Sequence, residues 1–165
     1  AFNISSCVLV GSSMGGWIML HTAINIKDRV KGLLGIAAAP DFTRDLFEKE
    51  LNNDERKELM EKRVVRRRSS DGDLDYVITK KLIDDGEINC LLDNAIEITV
   101  PVRLIQGMED QQVPWATSIL LSKKIQTTDV EIQLIKDGDH RFSNSNQLSI
   151  ISITLRNLLC QVEQS

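Results

Sequence analysis

A serine hydroxyl becomes a useful nucleophile only when a base removes its proton, so such chemistry needs a serine on a sharp turn within reach of a histidine. Ser13 meets the first requirement. Gly11-Ser12-Ser13-Met14-Gly15 follows the apolar run Cys7-Val8-Leu9-Val10 and opens an apolar, helix-like segment from Trp17 to Ile24. G-x-S-x-G between a strand and a helix is the pattern of a nucleophile elbow, in which small residues two places before and after the serine let the two elements approach closely. Glycines that merely make a tight turn would read the same way, so the reading depends on partners downstream, acid first and histidine second.

Both partners are present. Val102-Arg103-Leu104-Ile105 reads as a buried strand that breaks at Gln106-Gly107-Met108-Glu109-Asp110, before Val113-Pro114-Trp115 begins a helix. Asp110 is the candidate acid; a capping or turn aspartate is the plainer reading, and Glu109 competes for the role. Val130 to Ile135 alternates apolar and polar residues like a half-exposed strand and ends at Lys136-Asp137-Gly138-Asp139-His140. The other histidine, His21, lies eight residues beyond Ser13, about two helical turns away, which is too far for its base. His140 is therefore the candidate general base, and Asp139 beside it reads as solvated.

Loops at the carboxyl ends of parallel strands open on one crevice, which is how three such loops could gather Ser13, Asp110 and His140. The elements needed for this are legible. The pattern predicts strands at 6–10, 32–38, 101–106 and 129–135 and helices at 14–25, 115–125 and 145–161, an α/β chain with a parallel sheet. Residues 1–40 and 99–165 form the expected core, and 41–98 an insertion between two core strands. Within it, 45–50 and 54–60 read as short charged helices, the second capped at Asn53. Residues 62–68 and 74–78 read as a hairpin turning at Ser69-Ser70-Asp71-Gly72-Asp73. Thr79 caps a last short helix stopped by Gly86. An excursion of this length is more often a lid or binding element than decoration, so it is read as a cap.

Composition bounds the rest. The 165 residues are 42% hydrophobic with a formal charge of −4, enough for a packed core and no reason to invoke nucleic acid or an anionic membrane. No apolar run approaches the roughly 18 residues that span a bilayer. Cys7, Cys90 and Cys160 have neither zinc spacing nor an even count, and read as reduced thiols in apolar surroundings, as in a cytosolic or organellar matrix protein. The basic cluster Lys62, Arg63, Arg66, Arg67 and Arg68 could meet an anionic substrate, but such a run is more often a solvated strand edge. Trp115 is a candidate pocket residue and Trp17 a core residue.

Together, the segments Gly11 to His21, Gln106 to Trp115 and Gly138 to Phe142 resemble the serine hydrolases of the α/β-hydrolase fold. Within them the likeness is to the branch of mitochondrial palmitoyl-protein thioesterases and acyl-glucuronide esterases with their bacterial esterase relatives. The resemblance runs from about Cys7 to the last helix and is weakest between Asp41 and Glu97. It implies Ser13 as nucleophile, Asp110 as acid and His140 as base, with the Met14 N–H as one oxyanion donor. It also implies no metal or organic cofactor, an acylated protein or small acyl ester as substrate, and a mitochondrial location. Gln106 stands where many members carry a histidine, and is assigned no role. Members have several strands and the second oxyanion donor ahead of the elbow, so the resemblance implies a partial domain whose amino-terminal strands are missing. The competing expectation is a non-catalytic fragment acting as an interaction module.

Overall fold

The computed structural model describes residues 5–68 and 75–164. Its first strand, β1 (Cys7–Ser12), runs directly into helix α1 (Met14–Asn25) through Ser13 alone. A short turn of helix at Lys27–Arg29 leads to β2 (Val30–Ile36), which lies parallel to β1 with Gly11 opposite Gly35 and Ser12 opposite Ile36. β5 (Val102–Gly107), α5 (Ala116–Lys124), β6 (Val130–Ile135) and α6 (Ser145–Glu163) complete this part. The described strands form a four-stranded sheet in the order β1-β2-β5-β6, parallel throughout. Every residue of β5 is buried, as expected for an apolar run covered on both faces, whereas β6 keeps its alternation and is half-exposed.

A core of Leu34, Ile36, Ile105, Phe142 and Leu158 joins β2 and β5 to α6, with Ile151 and Leu155 packed against it. α6 is set by a capping box, Asn144 accepting from the Gln147 amide and Gln147 from that of Asn144. It comes so near β2 that a methyl at Gly32 would lie 3.1 Å from Leu158. Arg103, almost wholly buried, ties the far end of the sheet together: its guanidinium donates to Asp129 at 2.8 Å and to Gln161 at 2.6 Å, and meets Glu131 at 3.3 Å. Burial pushes the Asp129 carboxyl up, and hydrogen bonds from Arg103 and Gln161, with the Arg103 charge, more than reverse this and hold it below the ordinary range.

The chain divides into two compact units, one of residues 1–40 and 92–165 and the other of 41–91. The second has α2 (Phe42–Asp45), a wider turn at Leu46–Glu50 closed by Leu51 N–H on the Leu46 carbonyl, and α3 (Asn53–Lys62). The strands β3 (Val64–Arg68) and β4 (Asp75–Thr79) pair antiparallel and α4 (Lys80–Ile88) follows. The turn expected at Ser69 to Asp73 lies outside the described residues. Val65 and Ile78 face each other across the hairpin and pack with Leu46, Leu51 and Leu59 into a core of the unit's own. Arg67 pairs with Glu50 and Glu55, and Lys62 with Glu58, while Arg66 and Arg68 are exposed, as on a solvated edge.

Several boundaries move for identifiable reasons. β2 runs from Val30 to Ile36 instead of 32–38; it ends where Ala37, whose N–H still continues the ladder to the Ile105 carbonyl, adopts a positive φ of 45° and turns the chain away. The cap of α3 is Asn52, not Asn53, since Asn52 is the residue whose side chain and amide exchange hydrogen bonds with Glu55. Thr79 caps α4 by accepting from the Leu82 amide, but Gly86 does not stop the helix. Gly86 is a packing residue: a methyl there would sit 2.0 Å from the Thr43 hydroxyl oxygen. The three cysteines are free, but Cys160 is exposed on α6 and so is not in apolar surroundings. Among the described residues no helix is long and apolar enough to cross a membrane.

Candidate active site

The elbow is built by close approach. A Cβ on Gly11 would lie 2.3 Å from the Gly15 carbonyl oxygen, and one on Gly16 would lie 2.5 Å from the Ala38 methyl, so only glycine allows β1, α1 and the end of β2 to meet. Ser13 itself takes φ 53° and ψ −125°, a conformation costly for any residue with a side chain. Its backbone is pinned to β2 and to the turn after that strand: Ser13 N–H donates to the Ile36 carbonyl, and its carbonyl accepts from Gly16 and Ala39. The pinned turn places the Ser13 hydroxyl beside His140, with Oγ and Nε2 3.0 Å apart.

The loops after β5 and β6 are held to each other in the same manner. A Cβ on Gly107 would lie 2.2 Å from the Gly138 carbonyl oxygen, so the two backbones touch where side chains would keep them apart. Met108 and Glu109 donate their amides across the gap to the Ile135 and Gly138 carbonyls. Two residues past His140, Phe142 is fully buried in the core with φ 49°, and its amide donates to the Asp139 carboxylate. Asp139 is thus exposed, as expected, but it also braces the histidine loop.

Between these loops His140 Nδ1 lies 2.8 Å from Asp110 Oδ2. An ionised carboxylate only accepts, so Nδ1 carries the proton and Nε2 presents its lone pair to the Ser13 hydroxyl. The Asp110 side chain is fully buried and that of His140 is 16% exposed. Burial pushes the Asp110 carboxyl up, but hydrogen bonds from His140 and from the Val113 and Gln112 amides, together with the charge of the ring when it is protonated, hold it below its ordinary value. Serine, imidazole and carboxylate thereby form a continuous hydrogen-bonded chain that can move a proton from Oγ to Nε2 while the carboxylate steadies the resulting imidazolium.

Met14 is the first residue of α1, where amides lack intrahelical acceptors, and its side chain is half-exposed. Trp115, half-exposed, immediately precedes α5, five residues past Asp110, and makes no side-chain capping bond. Trp17 is buried and touches His21, which stays on α1 away from the Ser13–His140 contact. Glu109 is exposed. Two features of the site are not readable along the chain. Gln106 is completely buried against Asp110 and is hydrogen-bonded in turn by Ser118. The Gly107–Gly138 contact joins residues distant in sequence; only a glycine at the end of β5 and another three residues past β6 hint at it.

Strand, strained serine, helix, parallel sheet and the two following loops define part of the α/β-hydrolase fold. A Pongo abelii protein named mitochondrial palmitoyl-protein thioesterase ABHD10 is 37% identical over 155 residues, 92% of this chain and 50% of that protein. Mouse alpha/beta hydrolase domain-containing protein 10 is 34% identical, with a TM-score of 0.84 over 96% of this chain and 63% of its own. A protein of Agrobacterium vitis S4 named as a hydrolase is 36% identical, with a TM-score of 0.88 over 93% of this chain and 61% of its own. The chain spans about half the length of the curated relatives it matches. No family model matches it.

Proposed function

We propose that the protein carrying this chain is a serine hydrolase of acyl esters or thioesters, with Ser13 as nucleophile, His140 as general base and then acid, and Asp110 as the orienting carboxylate. The observation that carries this reading is the continuous contact from Ser13 Oγ to His140 Nε2 at 3.0 Å and from His140 Nδ1 to Asp110 Oδ2 at 2.8 Å. His140 takes the hydroxyl proton as Oγ attacks the acyl carbonyl, then gives it to the departing thiolate or alkoxide, leaving an acyl-enzyme on Ser13. Water, deprotonated by the same imidazole, attacks the acyl group; Nε2 returns its proton to Oγ and the acid departs. The Met14 N–H, at the amino end of α1, is assigned to the oxyanion. Trp115 is assigned to the acyl-binding surface and residues 41–98 to substrate selection as a cap.

The relative named a palmitoyl-protein thioesterase supports an S-acylated protein cysteine as the substrate, and its mitochondrial designation supports that compartment here. An acyl glucuronide is the corresponding small-molecule ester. The test is active-site labelling of the intact polypeptide with a fluorophosphonate. A single adduct on Ser13, abolished in Ser13→Ala, is the expected result. An adduct on Ser12 would move the nucleophile, and no adduct at all would favour the interaction-module alternative.

A further inference from the structure

We propose that Gln106 is a positioning residue for the acid–base pair, its side-chain amide holding the Asp110 carboxylate by the same oxygen that His140 engages. The inference rests on the hydrolase reading above and deepens it. Gln106 is fully buried, with Nε2 3.0 Å from Asp110 Oδ2 and 3.1 Å from the Val113 carbonyl oxygen. Carboxylate and carbonyl are acceptors only, so the NH₂ end of the amide must face them, which fixes its orientation. The other end, Oε1, accepts from the Ser118 hydroxyl at 3.2 Å, and Ser118 is itself buried. Both N–H groups and the carbonyl are thereby satisfied, as an amide with no access to water requires.

The consequence lies at Asp110. Its Oδ1 accepts from the Gln112 amide at 2.8 Å and the Val113 amide at 2.9 Å, and its Oδ2 from Gln106 and His140. With two donors on each oxygen the carboxylate cannot rotate without breaking several bonds, so Oδ2 stays aimed at the imidazole. Gln106 also shares that oxygen with His140, and so limits how strongly the carboxylate stabilises the imidazolium. An amide does not titrate, so the restraint acts alike at every pH. The hydrogen bonds of Gln106 go to Asp110, Val113, Ser118 and Gly107 and not to Ser13 or His140, so it acts through Asp110.

The experiment compares Gln106→Met, Gln106→Glu and Ser118→Ala with the parent in the intact polypeptide. A p-nitrophenyl ester gives kcat, KM and the pH profile of kcat/KM, and the urea midpoint reports folding. Gln106→Met keeps the volume and removes both donors. It should lower kcat about tenfold, the effect of one charge-assisted hydrogen bond, with KM changed by less than about twofold. Its acidic limb should move to higher pH, because Oδ2 is left wholly to the imidazolium. Gln106→Glu keeps the shape but donates only when protonated, so it should be active on the acidic side and fail as the pH rises and a second carboxylate forms beside Asp110. Ser118→Ala should show the Met variant's change in weaker form.

A Gln106→Met protein with the parental profile would overturn the inference, as would a loss of kcat with a lowered urea midpoint and an unmoved acidic limb. Should Gln106→Met fail to fold, the profile of Gln106→Glu decides: the alkaline loss supports the inference and a parental profile overturns it. A parent labelled at Ser13 alongside unaltered Gln106 variants removes this inference alone. A parent that takes no label removes the hydrolase reading and this inference with it.

Discussion

The two sides of the candidate site are held in place in different ways. Asp110 and His140 leave β5 and β6, adjacent strands whose carboxyl-end loops touch through Gly107 and Gly138 and exchange amide–carbonyl bonds. β5 is buried throughout and paired on both sides. Ser13 leaves β1, which among the described residues is paired only with β2 and is largely half-exposed, with Val10 and, on the following helix, Ile18 open to solvent. Yet Ser13 is bonded to Ile36 and Ala39, in and just past β2. Ser13 thus borrows its position from the neighbouring strand, while the loops carrying Asp110 and His140 brace each other.

The largest test of that comparison is removal of the groups themselves. Ser13→Ala in the intact protein should lower turnover by about six orders of magnitude, read from steady-state hydrolysis of an activated ester. On the acid–base side Asp110→Asn should leave the fold intact and lower kcat by roughly 10⁴, because the imidazole loses the tautomer that accepts the serine proton. Glu109→Gln, one residue away on the same loop but exposed, should change kcat little; the reverse ranking would move the acid to Glu109.

Backbone packing gives a finer probe. In Gly107→Ala the new methyl must displace the Gly138 carbonyl, so it should separate the two loops, cost about 1–3 kcal/mol in urea unfolding and reduce kcat about 100-fold. Gly11→Ala, whose methyl meets the Gly15 carbonyl, should reduce kcat comparably with a smaller loss of stability, since the half-exposed β1 can shift. Equal stability losses would show that β1 is as firmly held as β5.

The smallest effect is on pH dependence. The folded Asp110 carboxyl titrates below its ordinary value, so protons bind the unfolded chain more readily. Its contribution to stability is complete above the ordinary aspartate range, about 4, and is lost as pH falls through the lowered folded value. Urea midpoints measured from pH 6 down to about 3 should therefore fall less steeply in Asp110→Asn than in the parent. An identical slope would show that the carboxylate contributes nothing to acid sensitivity. At the other end of the sheet Asp129 is likewise held below its ordinary value, its desolvation outweighed by hydrogen bonds from Arg103 and Gln161 and by the Arg103 charge, so it contributes to acid sensitivity in the same direction.

Much of the fold is legible in the sequence because its signals are local. The apolar run at β5, the alternation at β6, the Thr79 cap and the elbow around Ser13 each depend on residues within a few positions of one another, and periodicity reports such elements directly. Gly86 misleads because local rules treat a glycine late in a helix as a stop, whereas its use here is to admit Thr43 from an element more than forty residues earlier. β2 ends early because Ala37 turns to a positive φ, which nothing in the apolar run Ala37-Ala38-Ala39 signals.

By itself the sequence gives the order in which Ser13, Asp110 and His140 occur and the strands they follow, and it makes His140 rather than His21 the candidate partner of Ser13, because helical rise carries His21 about two turns away. Only the tertiary structure decided that Gln106 reaches the oxygen of Asp110 that His140 uses, that Phe142 anchors the histidine loop, and that Gly107 and Gly138 touch. Those contacts join residues on different strands and loops. Whether they form depends on the register and separation of packed elements, which no pattern along the chain encodes.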